Sequence, residues 1–216
     1  RLNSAYSVPY DNSCHSITEG RQNLGKCPAL LKPSRKGADT LIFQGVFSPA
    51  MVQIGAHVSI SGGFDKAVSR ERDLDGDVGQ IFMGSPRGWK VKEVSESDGE
   101  AFREAVDEAD MGPWIVHGTY LINFATPKDD LAEKSINAVQ QELDACSKVG
   151  IEYYVFHPGS HTSAGVDTVV ENVAARLSEL DIPDDTTLLL ENTAGKGTTV
   201  GKTFEELDRM VRLSEY

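Results

Sequence analysis

Cysteine, tryptophan and positive charge are all scarce in this chain of 216 residues. It contains three cysteines and two tryptophans, and its formal net charge is −12. Cys14, Cys27 and Cys146 are too few and too scattered for a disulfide framework, and none belongs to a CxxC pair of the kind found in zinc fingers. This cysteine usage favours a reducing compartment, so we expect a cytoplasmic protein.

Long apolar runs and nucleotide-binding motifs are also missing from the sequence. No stretch approaches the roughly 18 apolar residues that a membrane span requires, so we expect no membrane partner. Neither GxGxxG nor a P-loop pattern such as GxxxxGKS occurs, which removes the usual arguments for a bound nucleotide. The length and the ordinary apolar content are sufficient for one substantial hydrophobic core.

The charge is divided unevenly along the chain. Residues 1–50 contain six Lys and Arg against three Asp and Glu, whereas residues 51–216 contain 15 against 30. The first segment lacks a sustained hydrophobic period and is rich in Ser, Asn, Gly and Pro, which is typical of irregular chain. We interpret 51–216 as the folded domain, beginning at Met51, and 1–50 as a segment that is not native to the fold. A genuine disordered arm is the alternative.

From residue 51 onward, strand patterns alternate with helix patterns. Strands are predicted at 52–60, 80–83, 113–120, 151–159 and 186–194. Helices are predicted from 64, from about 97, and at 129–149, 166–180 and 203–213. The later strands are near-continuous apolar runs, which is typical of a parallel sheet covered on both faces.

The number of these units leaves two architectures open. Five units of about 33 residues would complete an open doubly wound sheet, whereas a (β/α)8 barrel would need roughly 265 residues. Three successive strands end on residues that commonly bind metal, namely His117, His157 and Glu191. Parallel neighbours would bring these residues to one end of the sheet, which predicts a metal site and favours the barrel. Three unrelated polar core residues are the alternative, and His57 is interpreted as structural.

Four segments resemble the endonuclease IV family of apurinic/apyrimidinic endonucleases, also called apurinic/apyrimidinic endonuclease family 2. They are GAHVSISGG (55–63), HGTYLIN (117–123), FHPGSH (156–161) and ENTAGKG (191–197). The resemblance implies an α/β fold, a (β/α)8 TIM barrel of the xylose-isomerase-like superfamily. It also implies three Zn²⁺ ions at the carboxyl ends of the strands. Only about the first five βα units would be present, so we expect a C-terminally truncated chain that is inactive alone.

The resemblance further implies an activity and a set of metal ligands. Proteins of this family take part in base excision repair and hydrolyse the phosphodiester 5′ to an abasic site, leaving a 3′-hydroxyl and a 5′-deoxyribose phosphate. By position, His117 and His157 are expected to bind one zinc ion. Glu191 is expected to be the catalytic residue, bridging two zinc ions and holding the attacking hydroxide.

The expected partner is double-stranded DNA that contains an abasic site, and the full-length protein is expected to be a monomer. By resemblance, Arg87, Tyr120 and Leu121 are the residues that enter the DNA and fill the gap at the lesion. Two alternatives to this activity are a metal-dependent sugar-isomerase-like barrel and a catalytically inactive fragment.

The acidity of the chain is an objection to DNA binding, because phosphate contacts usually come from a basic surface. Bound zinc would supply positive charge where the phosphate lies. An excess of carboxylates also fits a salt-rich cytosol, since at about 1 M salt the screening length is roughly 3 Å. We therefore keep DNA as the expected partner and add salt tolerance as a hypothesis.

Overall fold

The computed structural model describes residues 52–161 and 165–214, except the side chains of residues 166 and 167. The interpretation of residues 1–50, and of Met51 as the start of the fold, lies outside the described residues. Five strands alternate with five helices: β1 (Gly55–His57), α1 (Phe64–Asp73), β2 (Val78–Ile81), α2 (Glu96–Ala109), β3 (Trp114–His117), α3 (Asp129–Val149), β4 (Tyr153–Phe156), α4 (Val166–Leu177), β5 (Thr187–Leu190) and α5 (Phe204–Leu213). None of the helices in this described part combines the length and apolarity needed to cross a membrane.

The five strands form one parallel sheet in the order β1-β2-β3-β4-β5. Each strand pairs with the strand that follows it in the chain. A doubly wound sheet would reverse its strand order at a switch point, and no reversal occurs among these five strands. The order is that of successive βα units in a barrel, and it confirms the barrel interpretation over the doubly wound one.

Every predicted strand and helix is present, but four of the five predicted strands are too long and the second is displaced. The first strand covers Gly55–His57 rather than 52–60, because only these three residues pair with β2, and the chain turns farther on at Gly62 and Gly63, whose φ angles are 90° and 141°. The second begins at Val78 and ends at Ile81, two residues before the predicted end. Polar turn signals mark where a run of apolar residues stops, but they do not mark where strand pairing stops.

The helix ends show local capping that explains where they begin and stop. α2 begins at Glu96 because Ser95 is its N-cap: the Ser95 hydroxyl accepts from the Asp98 backbone N–H, and the Asp98 side chain accepts from the Ser95 N–H. α3 stops at Gly150, which has a φ of 88° and therefore adopts the left-handed conformation that glycine tolerates best. α4 ends at Leu177, earlier than the predicted 180.

The two faces of the sheet differ in what covers them. The Trp114 ring packs edge-on against Phe102 of α2 at a centroid distance of 5.3 Å, and the Tyr154 hydroxyl reaches Glu142 of α3. Even-numbered residues of β3 and β4 therefore face the helices and are buried. Odd-numbered residues face the opposite side, since side chains alternate along a strand.

The opposite face is only partly covered in the described residues. The odd positions Ile115, Tyr153 and Val155 are half-buried, and the Leu189 side chain is 37% exposed to solvent. The prediction of a sheet covered on both faces is therefore correct for the helix side alone. In a complete (β/α)8 barrel this second face is the interior, filled by layers of side chains from alternate strands.

Close packing between β2 and β3 depends on a glycine. Gly79 pairs with Trp114 across the two strands, and a Cβ at residue 79 would lie 2.3 Å from the Trp114 ring. The ring is itself held by Phe102, so it has little room to move. No other residue fits at this position without displacing the indole.

We predict that Gly79→Ala lowers the free energy of unfolding by about 1–3 kcal/mol, the usual cost of overpacking a core. Urea unfolding of the chain measures this cost. Trp114→Leu removes the part of the ring that the new methyl group would meet, so Gly79→Ala should cost less in that background. Equal costs in the two backgrounds would show that the close approach is not the cause.

Candidate metal centre

The register of the sheet brings the three predicted ligands to one place. His117 is the last residue of β3 and pairs with Val155, two residues before His157. Phe156 pairs with Leu190, so His157 and Glu191 follow directly on two neighbouring strands. All three side chains are at odd positions and therefore lie on the same, inner face.

The ligand atoms of this trio converge closely. The His117 Nε2 lies 3.1 Å from Glu191 Oε2, and the His157 Nε2 lies 3.7 Å from the same oxygen. Each residue offers a ligand atom within 4.8 Å of those of the other two. The prediction that these three strand ends meet is therefore confirmed by the geometry.

A backbone hydrogen bond fixes the tautomer of His117. Its Nδ1 lies 2.7 Å from the carbonyl oxygen of Gly118. A carbonyl oxygen only accepts, so the ring donates its Nδ1 proton, and in the neutral imidazole Nε2 keeps a lone pair. This lone pair points at the Glu191 carboxylate.

Two electron-pair donors 3.1 Å apart require a proton or a cation between them. A divalent metal ion satisfies this requirement, and the ligand set of two imidazoles and a carboxylate is one that zinc commonly uses. The His117–Gly118 bond is also the usual support behind a metal-binding histidine. His157 differs, because its Nδ1 is buried without a hydrogen-bond partner in the part of the chain described here.

A cluster of aromatic rings surrounds the His117 side chain. Phe82, which follows β2, lies 5.4 Å from His117, 5.3 Å from Tyr120 and 4.2 Å from His57 between ring centroids. Phe82 was not singled out from the sequence, although it follows a buried strand end just as the ligands do. Its ring packs edge-to-face against both the His117 imidazole and the Tyr120 ring.

His57 lies at the end of β1 and faces this ring cluster. Its Nδ1 is 2.8 Å from the Gln80 Oε1, and burial lowers the pKa of its imidazole. Its ring centroid is 6.4 Å from that of His117, and it is not a member of the converging trio. The interpretation of His57 as a structural residue agrees with this position.

The three residues expected to contact DNA lie on two loops beside the trio. Arg87 is exposed in the loop after β2, Tyr120 is 61% exposed in the turn after β3, and Leu121 is half-buried next to it. The carbonyl oxygen of Pro86 joins the two loops, because it accepts from the Tyr120 backbone N–H and from the Thr119 hydroxyl, both at 3.0 Å.

Asn123 is a site residue that the sequence did not reveal. Its Oδ1 accepts from the backbone N–H of Ser160 at 2.9 Å, and its Nδ2 donates to the Ser160 carbonyl at 3.0 Å. A Cβ at Gly159 would lie 2.1 Å from this amide, so glycine is required there. Asn123 is the last residue of the HGTYLIN segment, which was the only sequence signal for these hydrogen bonds between the loops after β3 and β4.

Comparison with known proteins agrees with this geometry. The model of the family described as "Xylose isomerase-like TIM barrel" matches residues 69–215. The curated "Probable endonuclease 4" of Natronomonas pharaonis is 50% identical over 157 residues, which are 73% of this chain and 56% of that protein. The chain therefore spans little more than half the length of this relative.

Solved structures give the same relationship. Endonuclease IV from Thermus thermophilus superposes with a TM-score of 0.67 at 34% identity, covering 76% of this chain and 60% of that one. A D-tagatose 3-epimerase-like protein shares the fold, with a TM-score of 0.57 at 19% identity, 74% of this chain and 60% of that chain. The chain belongs to the xylose isomerase-like TIM-barrel family, and within it to the endonuclease IV family that its motifs resemble.

Proposed function

We propose that this chain carries the first part of the active site of a zinc-dependent apurinic/apyrimidinic endonuclease of base excision repair. The convergence of His117, His157 and Glu191 beside an exposed Tyr120 is the observation that supports the proposal. The reaction is hydrolysis of the phosphodiester 5′ to an abasic site, giving a 3′-hydroxyl and a 5′-deoxyribose phosphate. The similarity to endonuclease IV proteins supports this choice over a sugar isomerase.

The three ligands have different tasks in this proposal. His117 presents a lone pair in a direction fixed by Gly118, and His157 presents a second imidazole from the next strand. Glu191 has two carboxylate oxygens, so it can bridge two cations or hold a water through one of them. A zinc ion bound there would supply a water of lowered pKa and would stabilise charge on the phosphate.

The loops beside the ligands provide lesion recognition. Tyr120 presents an exposed ring that can stack on a base or fill the space left by a missing one. Arg87, on the loop held by the Pro86 carbonyl, provides a guanidinium for the phosphate backbone or the groove. Leu121 adds an apolar contact next to the Tyr120 ring.

The metal assignment predicts a loss of affinity when any ligand is removed. His117→Ala, His157→Ala and Glu191→Gln should each weaken Zn²⁺ or Co²⁺ binding by at least about 10–100-fold, the loss seen for outer-shell partners. Competition with a chromogenic chelator measures this in the chain itself. His161→Ala is the matched control, since it alters another histidine of the same loop outside the trio. Unchanged affinity in all three variants would refute the site.

In a protein with the length of the relatives, Glu191→Gln should also reduce incision of an abasic duplex sharply while leaving the fold intact. The neutral amide bridges two cations poorly, whereas its shape is that of the carboxylate. Circular dichroism and a single-turnover incision assay separate these two effects. An incision rate near that of the parent would contradict the catalytic role of Glu191.

The DNA assignment predicts selective losses for Arg87→Ala and Tyr120→Ala. Tyr120→Ala should weaken binding to an abasic duplex by about tenfold, since stacking on an aromatic ring is worth roughly 1–3 kcal/mol. Binding to an intact duplex should change less. Fluorescence anisotropy with both duplexes measures the ratio, and Arg72→Ala on the exposed side of α1 is the control for a lost positive charge. Equal losses on both duplexes would indicate ordinary phosphate contacts.

The acidic composition predicts unusual salt behaviour. With a net charge of −12, repulsion between protein and DNA is strongest at low ionic strength and is screened as salt rises. Incision by a protein with the length of the relatives should therefore persist or increase between low and molar KCl. Rates measured across this range at constant pH provide the test, and a steep monotonic fall would mean that phosphate contacts by Lys and Arg dominate.

A further inference from the structure

One short segment at the end of the loop after β5 contacts the loop that carries His157. This bridging segment consists of residues 200–202. The Val200 N–H donates to the Gly159 carbonyl at 3.0 Å, and Gly159 lies two residues after His157. The Val200 side chain is fully buried at this point. The bridging segment is therefore fixed against the chain just beyond one of the candidate metal ligands.

The same segment is also bonded to the chain just beyond Glu191. The Thr193 N–H donates to the Gly201 carbonyl at 2.8 Å, and the Thr193 hydroxyl donates to the Val200 carbonyl at 3.0 Å. Thr193 lies two residues after Glu191. Two of the three candidate ligands are thus each followed, two residues later, by a residue that hydrogen-bonds to the bridging segment.

The Glu206 side chain holds the bridging segment from the other side. Its Oε2 accepts from the Gly201 N–H at 2.8 Å and from the Lys202 N–H at 3.0 Å. Glu206 is half-buried in the first turn of α5. Hydrogen bonds accepted by a carboxylate are stronger than those between neutral groups. One oxygen therefore fixes two successive peptide groups of the segment.

Helix capping alone does not explain these two bonds. In a capping box, a glutamate at this position accepts from the N–H of the N-cap residue, which is Thr203 in α5. The Thr203 hydroxyl makes its half of such a box, because it accepts from the Glu206 N–H at 3.2 Å. The Glu206 carboxylate reaches past the cap to the two residues before it. It therefore acts on the loop as well as on the helix.

The fit around Gly201 links this contact to the loop after β4. Its φ angle is 77°, in the left-handed region that favours glycine. A Cβ at residue 201 would lie 2.9 Å from Leu207 of α5 and 3.3 Å from the Pro158 ring. Pro158 follows His157 directly. If the bonds from Glu206 were lost, the loop that carries His157 would lose a fixed neighbour.

We propose that Glu206 is a positioning residue, whose carboxylate holds the bridging segment against both loops and so keeps His157 and Glu191 at their close separation. The His157 Nε2 and the Glu191 Oε2 are 3.7 Å apart. This separation matters for metal binding, since zinc accepts nitrogen and oxygen ligands only at about 2.0–2.2 Å. The inference rests on the proposed function for the metal, whereas the contacts of Glu206 are a property of this chain.

Amide hydrogen exchange of the chain without metal tests the contact itself. Glu206→Met has a similar length but no strong acceptor, so the Gly201 and Lys202 amides should exchange about tenfold faster or more. The Thr193 amide should follow them, because its acceptor is the Gly201 carbonyl. Glu206→Gln keeps an accepting oxygen and should stay within about threefold of the parent. The Ile151 amide, which is hydrogen-bonded at the end of α3, is the reference for overall stability.

Glu205→Met is the matched control. It removes an equal charge from the same turn of α5, but Glu205 is exposed and the acceptor of the Gly201 and Lys202 amides remains. It should therefore leave exchange at Thr193 unchanged relative to the reference amide. If Glu206→Met is too unstable to measure, Glu206→Asp takes its place. The shorter side chain keeps a negative charge at the start of the helix but withdraws the oxygen from both amides, so the same fast exchange is expected.

A second measurement follows the effect to the metal ligands. The Co²⁺ affinity of the chain should fall about fivefold or more in Glu206→Met and should be unchanged in Glu205→Met. Equal exchange at Thr193 in these two variants, or parental Co²⁺ affinity in Glu206→Met, would overturn the proposal. If exchange at Thr193 responds as expected but the parent chain itself binds no Co²⁺, the contact between Glu206 and the loops stands and the proposed metal site fails.

Discussion

The parallel pairing register between β3, β4 and β5 is the constraint on which the candidate site depends. Because side chains alternate along a strand, one set of residues packs on the helices and the other set faces inward. His117 pairs beside Val155, and Phe156 beside Leu190, so the residues that end the three strands lie together on the inner face. A slip of one residue in β4 would turn His157 toward the helices and separate it from its partners.

Backbone carbonyl groups beyond the strand ends accept the hydrogen bonds that fix the loops relative to the sheet. The Gly118 carbonyl orients the His117 ring, and the Pro86 carbonyl joins the turn of Tyr120 to the loop of Arg87. Asn123 then ties the turn to the loop after β4 through both polar atoms of its amide. The loops are consequently held by fixed acceptors in addition to the apolar packing of Ile122, Phe124 and Ala125.

The sequence predicted the parts of the molecule that follow from local patterns. Strand and helix order, the parallel sheet and the meeting of His117, His157 and Glu191 all follow from the apolar runs and from the residues that end them. The length of β1 was wrong, because pairing with β2 stops at His57 although the apolar run continues to Ile60. The covering of the inner face was also wrong, since an apolar run does not state which of its two faces finds a partner.

The contacts of Glu142, Asn123 and Phe82 could not have been predicted in the same way, because each joins elements that are distant in sequence. A glutamate on a helix is ordinarily predicted to be exposed to solvent, and only the fold shows Glu142 facing Tyr154. The resemblance to a known family named the residues expected to touch metal and DNA, but not the residues that position them. The residues that position the site are identified only when hydrogen-bond donors are matched with acceptors in the folded structure.

The strong negative charge of the chain is compatible with the aromatic and apolar surroundings of the candidate site. Aromatic and apolar residues lie beside the trio, as at Phe82, Tyr120 and Leu121, and the adjoining loop after β2 carries the cations Arg87, Lys90 and Lys92. Stacking and gap filling keep their strength in salt, whereas contacts between Lys or Arg and phosphate weaken as counterions compete. In the proposed function, recognition through shape and through a metal-held phosphate would therefore be compatible with many surface carboxylates.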